Sequence, residues 1–263
     1  MLTTAEIREH YDSMALIYRT FWGDHIHHGF FSDGESPQAA QIKLIEHCAK
    51  LVGVRRKWNV LDAGCGHGGS SVYLASNYGC CVQGLTLSHK QALLAAENAH
   101  VAAVSDRTAF LVEDVATWQF PAAAFDLVWT MESSEHFFDK AGYFRNVART
   151  LRRDGKLLLA GWTGPMASAQ VREVAQRFLC PEIWTGQQYA KAVESAGMHV
   201  EHNEEITENI VRTWEICAEH ARAAKPIIRL LPRAAREFVE GIHVILKAYR
   251  SGDLTYTVIT GRK

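Results

Sequence analysis

The chain sets 28 lysines and arginines against 29 aspartates and glutamates in 263 residues, a net charge of −1. It therefore offers no overall attraction for a polyanion, and nucleic acid is not the expected partner. The length suits one large α/β domain spanning residues 1–263, and the six cysteines (Cys48, Cys65, Cys80, Cys81, Cys180 and Cys217) form no C-x-x-C pair, so reduced core thiols are expected.

The first residues, Met1 to Glu6, lack a basic region followed by an apolar run, and no stretch of about 18 uninterrupted apolar residues occurs anywhere. The expectation is a cytoplasmic protein without a transmembrane segment. Thr3 to Phe21 reads as a helix with Tyr11 and Tyr18 on similar faces, and residues 1–35 as an N-terminal helical lid. Asp24, His25, His27 and His28 follow, but no regular geometry aligns their side chains, so no metal site is expected. Apolar runs then predict strands near Trp58 to Asp62, Cys80 to Leu85, Thr108 to Val112, Phe125 to Thr130 and Lys156 to Gly161. Helical patterns over Ser70 to Asn77, Ser88 to Val104 and Tyr143 to Leu151 lie between them. Two later runs, Met198 to Glu205 and Leu254 to Thr260, complete a doubly wound, seven-stranded and mostly parallel sheet. Between these last strands, residues 206–248 read as an inserted helical cap broken at Pro226 and Pro232.

The first strand ends in Asp62-Ala63-Gly64-Cys65-Gly66-His67-Gly68-Gly69, a turn that opens a helix. Gly64, Gly66 and Gly69 match the spacing of a dinucleotide-binding turn, but Asp62 would repel a pyrophosphate. A ligand with positive charge near the turn fits better, and S-adenosylmethionine carries an ammonium and a sulfonium. The second strand ends in Thr86, with Gln91 in the next helix, where a nicotinamide site expects an acid. Both can hydrogen-bond a ribose, and a nucleotide-dependent oxidoreductase is correspondingly disfavoured. After the third strand, Asp114 can accept from an exocyclic amine and Trp118 can face a purine; a capped turn with a half-buried indole is the equal alternative. The fourth strand ends in Met131-Glu132-Ser133-Ser134-Glu135-His136. His136 can take a proton there, with Glu135 or Glu132 orienting it or stabilising its cation.

These motifs, together with Phe125-Asp126-Leu127-Val128-Trp129 and the early Trp22-Gly23 and His28-Gly29, resemble the class I S-adenosylmethionine-dependent methyltransferases. Within that fold the chain is most similar to the tocopherol methyltransferase-like branch of small-molecule enzymes. The resemblance implies methyl transfer to a small hydrophobic or aromatic acceptor, with S-adenosylhomocysteine as product; an isoprenoid or sterol C-methyltransferase is the alternative. It places the methionine moiety over Gly64 and Gly66 near Asp62, the ribose at Thr86 and Gln91, and the adenine at Asp114, Val115 and Trp118. Met131 joins that cofactor set, and Tyr11 and Tyr18 close over the sulfonium. His136 matches the histidine proposed as general base in relatives. Trp22, His28, His67, Trp162 and Trp214 are the expected acceptor contacts. Phe137-Phe138-Asp139 departs from the methionine-proline pair common in the tocopherol enzymes. The cap carries Arg222, Lys225, Arg229, Arg233 and Arg236 at helical spacing, either a solvated face over an apolar stripe or a surface that meets lipid.

Overall fold

A computed structural model describes residues 2–223 and 233–263. Helix α1 (Thr4–Trp22) starts at a capping box, in which Thr3 and Glu6 satisfy each other's backbone N–H groups. Helix α2 (Pro37–Val52) follows, with Ser36 as its N-cap, proline in its first turn and Gly53 closing it in the left-handed conformation. The alternation then runs β1 (Asn59–Ala63), α3 (Gly69–Tyr78), β2 (Cys81–Thr86), α4 (His89–Val101), β3 (Thr108–Val112), β4 (Phe125–Met131), α5 (Lys140–Thr150) and β5 (Leu151–Thr163). Helices α6 (Ala169–Arg177) and α7 (Gly186–Ser195), which the periodicity did not predict, precede β6 (His199–Glu205). Before β7 (Thr255–Arg262) come α8 (Thr207–Ile210), α9 (Arg212–Ala223) and α10 (Arg233–Arg250).

The seven strands lie in the order β3-β2-β1-β4-β5-β7-β6, all parallel except β7, which runs antiparallel to both neighbours. This is the expected doubly wound, mostly parallel sheet. Alternate residues feed two cores on opposite faces: Leu158 and Ala160 of β5 join the larger, and Leu157 and Leu159 the smaller. The pairing with β5 shifts register between Phe125 and Leu127, whose partners are Leu151 and Lys156, so the extra residues lie in β5; along β4, Leu127, Trp129 and Met131 face the larger core and Val128 the other.

At the carboxyl edge of the sheet, α1 packs on α4 and α10. The segment after α1 is strapped to the inserted helices: the Phe31 N–H donates to the Asn209 carbonyl (2.8 Å), and the Gly29 N–H to Thr213 Oγ1 (3.0 Å). Helix α10 buries Ile242, Ile245 and Leu246 in the larger core. Lys225, Arg229 and both expected prolines of the cap lie outside the described residues, as does the Arg233 side chain. All six cysteines are free, and no helix among the described residues is long and apolar enough to cross a membrane.

Candidate active site

The turn after β1 needs its glycines for space as well as for φ. Gly64 sits at φ +90° against Ser133, and Gly66 at φ +53° has only Ile26 Cδ1 near the place of a Cβ, at 3.8 Å. A side chain at Gly66 would project into the cleft that this residue lines. Gly68 caps α3 without any side-chain hydrogen bond, leaving its first N–H groups for a ligand. Above this turn opens a cavity of about 1030 Å³, walled by Asp62, Thr86, Gln91, Asp114, Val115 and Met131 among others. Buried Asp62 accepts from Ser71 Oγ (2.6 Å), and burial pushes its carboxyl up to about 7 despite that bond. Thr86 Oγ1 donates to Gln91 Oε1 (2.7 Å), tying the ends of β2 and α4 together. Asp114 Oδ1 is taken by the Ala116 N–H (2.8 Å).

A second cavity, of about 970 Å³, lies beyond, between α1 and the inserted helices. Trp22, His28, Trp162, Phe178, Trp214 and Phe238 give it an aromatic wall. The two cavities share Tyr11, Ile26, His27, Glu132 and His136.

The Tyr11, His136 and Glu132 side chains of that shared wall are held by hydrogen bonds. His136 Nδ1 lies 3.0 Å from the Leu179 carbonyl, which can only accept, so Nδ1 carries the proton. Its Nε2 is then the acceptor for the Tyr11 hydroxyl at 2.7 Å. Burial is the main cause that lowers His136 to about 4, and the charges of His10 and Lys140 add to it. Glu132 stands at φ +49°, a strained position for a residue with a side chain. Its carboxylate accepts from the His28 N–H (2.8 Å), His28 Nδ1–H (2.7 Å) and the Tyr256 hydroxyl (2.9 Å). Burial is the largest single influence and opposes its ionisation, but His28 and His27 together outweigh it and hold the carboxyl below the ordinary carboxylate range. His28 Nε2 in turn accepts from the Trp214 indole N–H of α9.

Glu135 lines the second cavity alone. Its Oε1 accepts from the Trp162 N–H (2.6 Å), its Oε2 is buried without a partner, and burial raises it to about 7. Neither glutamate bonds His136: the Leu179 carbonyl orients that ring, and Glu132 orients His28 instead. Three further expectations are corrected. Tyr18 lines only the second cavity, its hydroxyl 3.0 Å from His10 Nε2 and its ring 6.2 Å from that of Tyr11, because seven residues of helix carry it about two turns along α1, past the first cavity. Trp118 turns from the first cavity onto Phe120, ring centroids 4.8 Å apart, since the smaller core takes the indole. His67 lines neither cavity; it is buried with both ring nitrogens unpartnered. Conversely, His25 and His27 join the cofactor-side wall, which sequence spacing alone did not reveal. Among the described residues, no three His, Cys, Asp or Glu side chains gather as a metal site.

The model of the family described as mycolic acid cyclopropane synthetase matches residues 2–252. The chain belongs to this family. A probable chloroplastic tocopherol O-methyltransferase of Oryza sativa subsp. japonica is 31% identical, over 96% of this chain and 76% of that protein. The 27-O-demethylrifamycin SV methyltransferase of Amycolatopsis mediterranei (strain S699) is 29% identical over 99% and 98%. In fold, the chain superposes on the mycolic acid cyclopropane synthase CmaA1, whose crystal structure is a complex with SAH and CTAB, with a TM-score of 0.88 at 20% identity, covering 99% of this chain and 98% of that one. The chain is a class I S-adenosylmethionine-dependent methyltransferase, and S-adenosylmethionine is its cofactor. The first cavity fits that molecule: an acid beside a backbone turn, hydroxyl and amide groups at the ends of β2 and α4, and a glycine whose missing side chain keeps the floor clear.

Proposed function

We propose that the enzyme methylates a hydrophobic phenol or quinol at its hydroxyl, with the cofactor in the first cavity and the acceptor in the second. The observation that carries this reading is the shared wall: the polar side chains of Tyr11, His27, Glu132 and His136 stand as a partition between the cavity over the glycine turn and the aromatic one. The bound cofactor supplies an electrophilic methyl group on a sulfonium. Asp62 would face its ammonium, the Gly64–Gly66 backbone would carry the methionine moiety, Thr86 and Gln91 the ribose, and Asp114 and Val115 the adenine, beside Met131.

The protein's part is chiefly alignment in a site closed to water. Orientation of this kind supplies roughly 7 to 11 kcal/mol in favourable systems. Residues 1–35 act as the lid in this reading and 206–248 as the cap of one domain, with Trp22, Trp162 and Trp214 gripping the acceptor ring. Tyr11 and His136 occupy each other's hydrogen-bonding sites, so His136 acts here by fixing α1 over the partition. The names of the rice and Amycolatopsis relatives favour oxygen as the methylated atom. An isoprenoid diphosphate fits less well: among the described residues, Arg177 is the lone lysine or arginine of the second cavity, and it is paired with Glu240 (3.2 Å). Six free thiols support the cytoplasm as the compartment.

The test is a panel of phenols, prenylquinols, amines and isoprenoid diphosphates with methyl-labelled cofactor. Label is expected in the phenols and quinols and to resist mild base, as an ether does. Label entering only the diphosphates, or only amines, would contradict the reading.

A further inference from the structure

The partition holds two imidazoles, and their lone pairs are not equivalent. That of His136 is filled by the Tyr11 hydroxyl. That of His27 is empty: Nδ1 lies 2.8 Å from the His28 carbonyl and so must carry the proton, while the buried Nε2 has no partner. An unpaired buried acceptor costs about 1–3 kcal/mol, which a ligand hydroxyl would relieve. The residue is also held still, because its own carbonyl accepts from Trp22 Nε1 (3.1 Å) and Gln41 Nε2 (3.3 Å).

The surrounding charges separate the two rings further. His10 and Lys140 oppose a proton on His136. At His27, the Glu132 carboxylate favours one, against an opposing contribution from His28. Burial keeps His27 neutral in the resting site, so its lone pair is available.

We propose that His27 is the general base of the reaction, receiving the acceptor's hydroxyl proton at Nε2; this rests on the hydroxyl reading above. The acceptor's O–H bond breaks with its electrons left on oxygen, the new O–C bond forms, and the S–C bond breaks with its pair left on sulfur. The imidazolium of His27, steadied by Glu132, returns its proton to solvent once product leaves.

His27→Asn tests this, since the shorter amide retains a donor toward the His28 carbonyl and removes the lone pair. Turnover of a phenol that is protonated at the assay pH is expected to fall about 100- to 10,000-fold. For a nitrophenol already ionised at that pH, the loss should shrink to less than about tenfold, since no proton needs a base. Calorimetry should find S-adenosylhomocysteine affinity within about threefold of wild type. In that complex the protonated phenol should bind about tenfold more weakly to the variant, the loss of one hydrogen bond, and its methyl ether equally to both. Equal losses on both phenols, unchanged turnover, or lost affinity for S-adenosylhomocysteine would each overturn the assignment. If wild-type enzyme methylates neither phenol, the hydroxyl reading itself fails, which is a separate result.

Discussion

Gly64→Ala is expected to abolish binding of S-adenosylhomocysteine and to cost about 3 kcal/mol or more of stability. Gly64 donates its N–H to the Leu85 carbonyl (2.9 Å), which fixes the turn at a φ of +90°. A Cβ there would lie 2.2 Å from Ser133 Cβ and 2.6 Å from its Oγ. Ser133 cannot yield cheaply, because its hydroxyl donates to the Ala63 carbonyl at 2.5 Å and the residue opens the turn that carries Glu135 and His136. One methyl group would thus press the cofactor turn against the partition. Gly53→Ala is the internal comparison: its φ is +70°, but nothing lies within 4 Å of the added carbon. It should cost only the backbone strain, on the order of 1 kcal/mol. Urea midpoints and calorimetry on the two variants measure both effects.

Affinity for S-adenosylhomocysteine should weaken as pH falls below 7, approaching tenfold per unit, and Asp62→Asn should flatten that dependence. In the empty site burial raises the Asp62 carboxyl to about 7, so its proton must leave before the carboxylate can meet a cationic ammonium. The sign follows from linkage. A carboxyl raised from 3.8 to about 7 contributes stability that is present in acid and lost as pH rises through that interval. The ammonium restores what ionisation removes, so the cofactor binds best above pH 7. Glu135, raised from 4.5 to about 7 by burial, has the same sign for stability but lines only the second cavity. Neighbouring imidazoles do not interfere, since burial holds His25 at about 3 and His136 at about 4. At pH 8, where Asp62 is ionised, Asp62→Asn should cost about 10- to 100-fold in affinity, the worth of a hydrogen bond to a charged group. Isothermal titration from pH 5.5 to 8 reads both curves.

Much of this was legible from local pattern. Valine- and leucine-rich runs mark buried parallel strands, and an acid followed by closely spaced glycines marks a backbone that must approach a ligand. What escaped depends on contacts far apart in sequence. The apolar run predicts a strand only from Lys156, yet β5 begins at Leu151, because Phe125 of β4 pairs with that residue across the register shift. Helix α7 announces itself through the capping box of Thr185 and Gln188, a signal short enough to be passed over. Trp118 and His67 carry the right chemistry in the right stretch, but burial in the smaller core and beneath the turn removes them from the cavities. His27 is the converse case. In an irregular segment with His25 and His28, nothing local shows that the His27 ring keeps a lone pair unpartnered in the partition; the Glu132 carboxylate, the Trp22 indole and the Gln41 amide, all distant in sequence or held by the fold, fix that segment.

The most direct measurement is a crystal structure with S-adenosylhomocysteine and a hydrophobic phenol bound together. The sulfur should lie at the partition of Tyr11, His27, Glu132 and His136, with the phenol in the aromatic cavity and its hydroxyl on the far side of the gap that one methyl group fills. A phenol bound elsewhere, or a sulfur turned away from that partition, would contradict transfer between these two cavities.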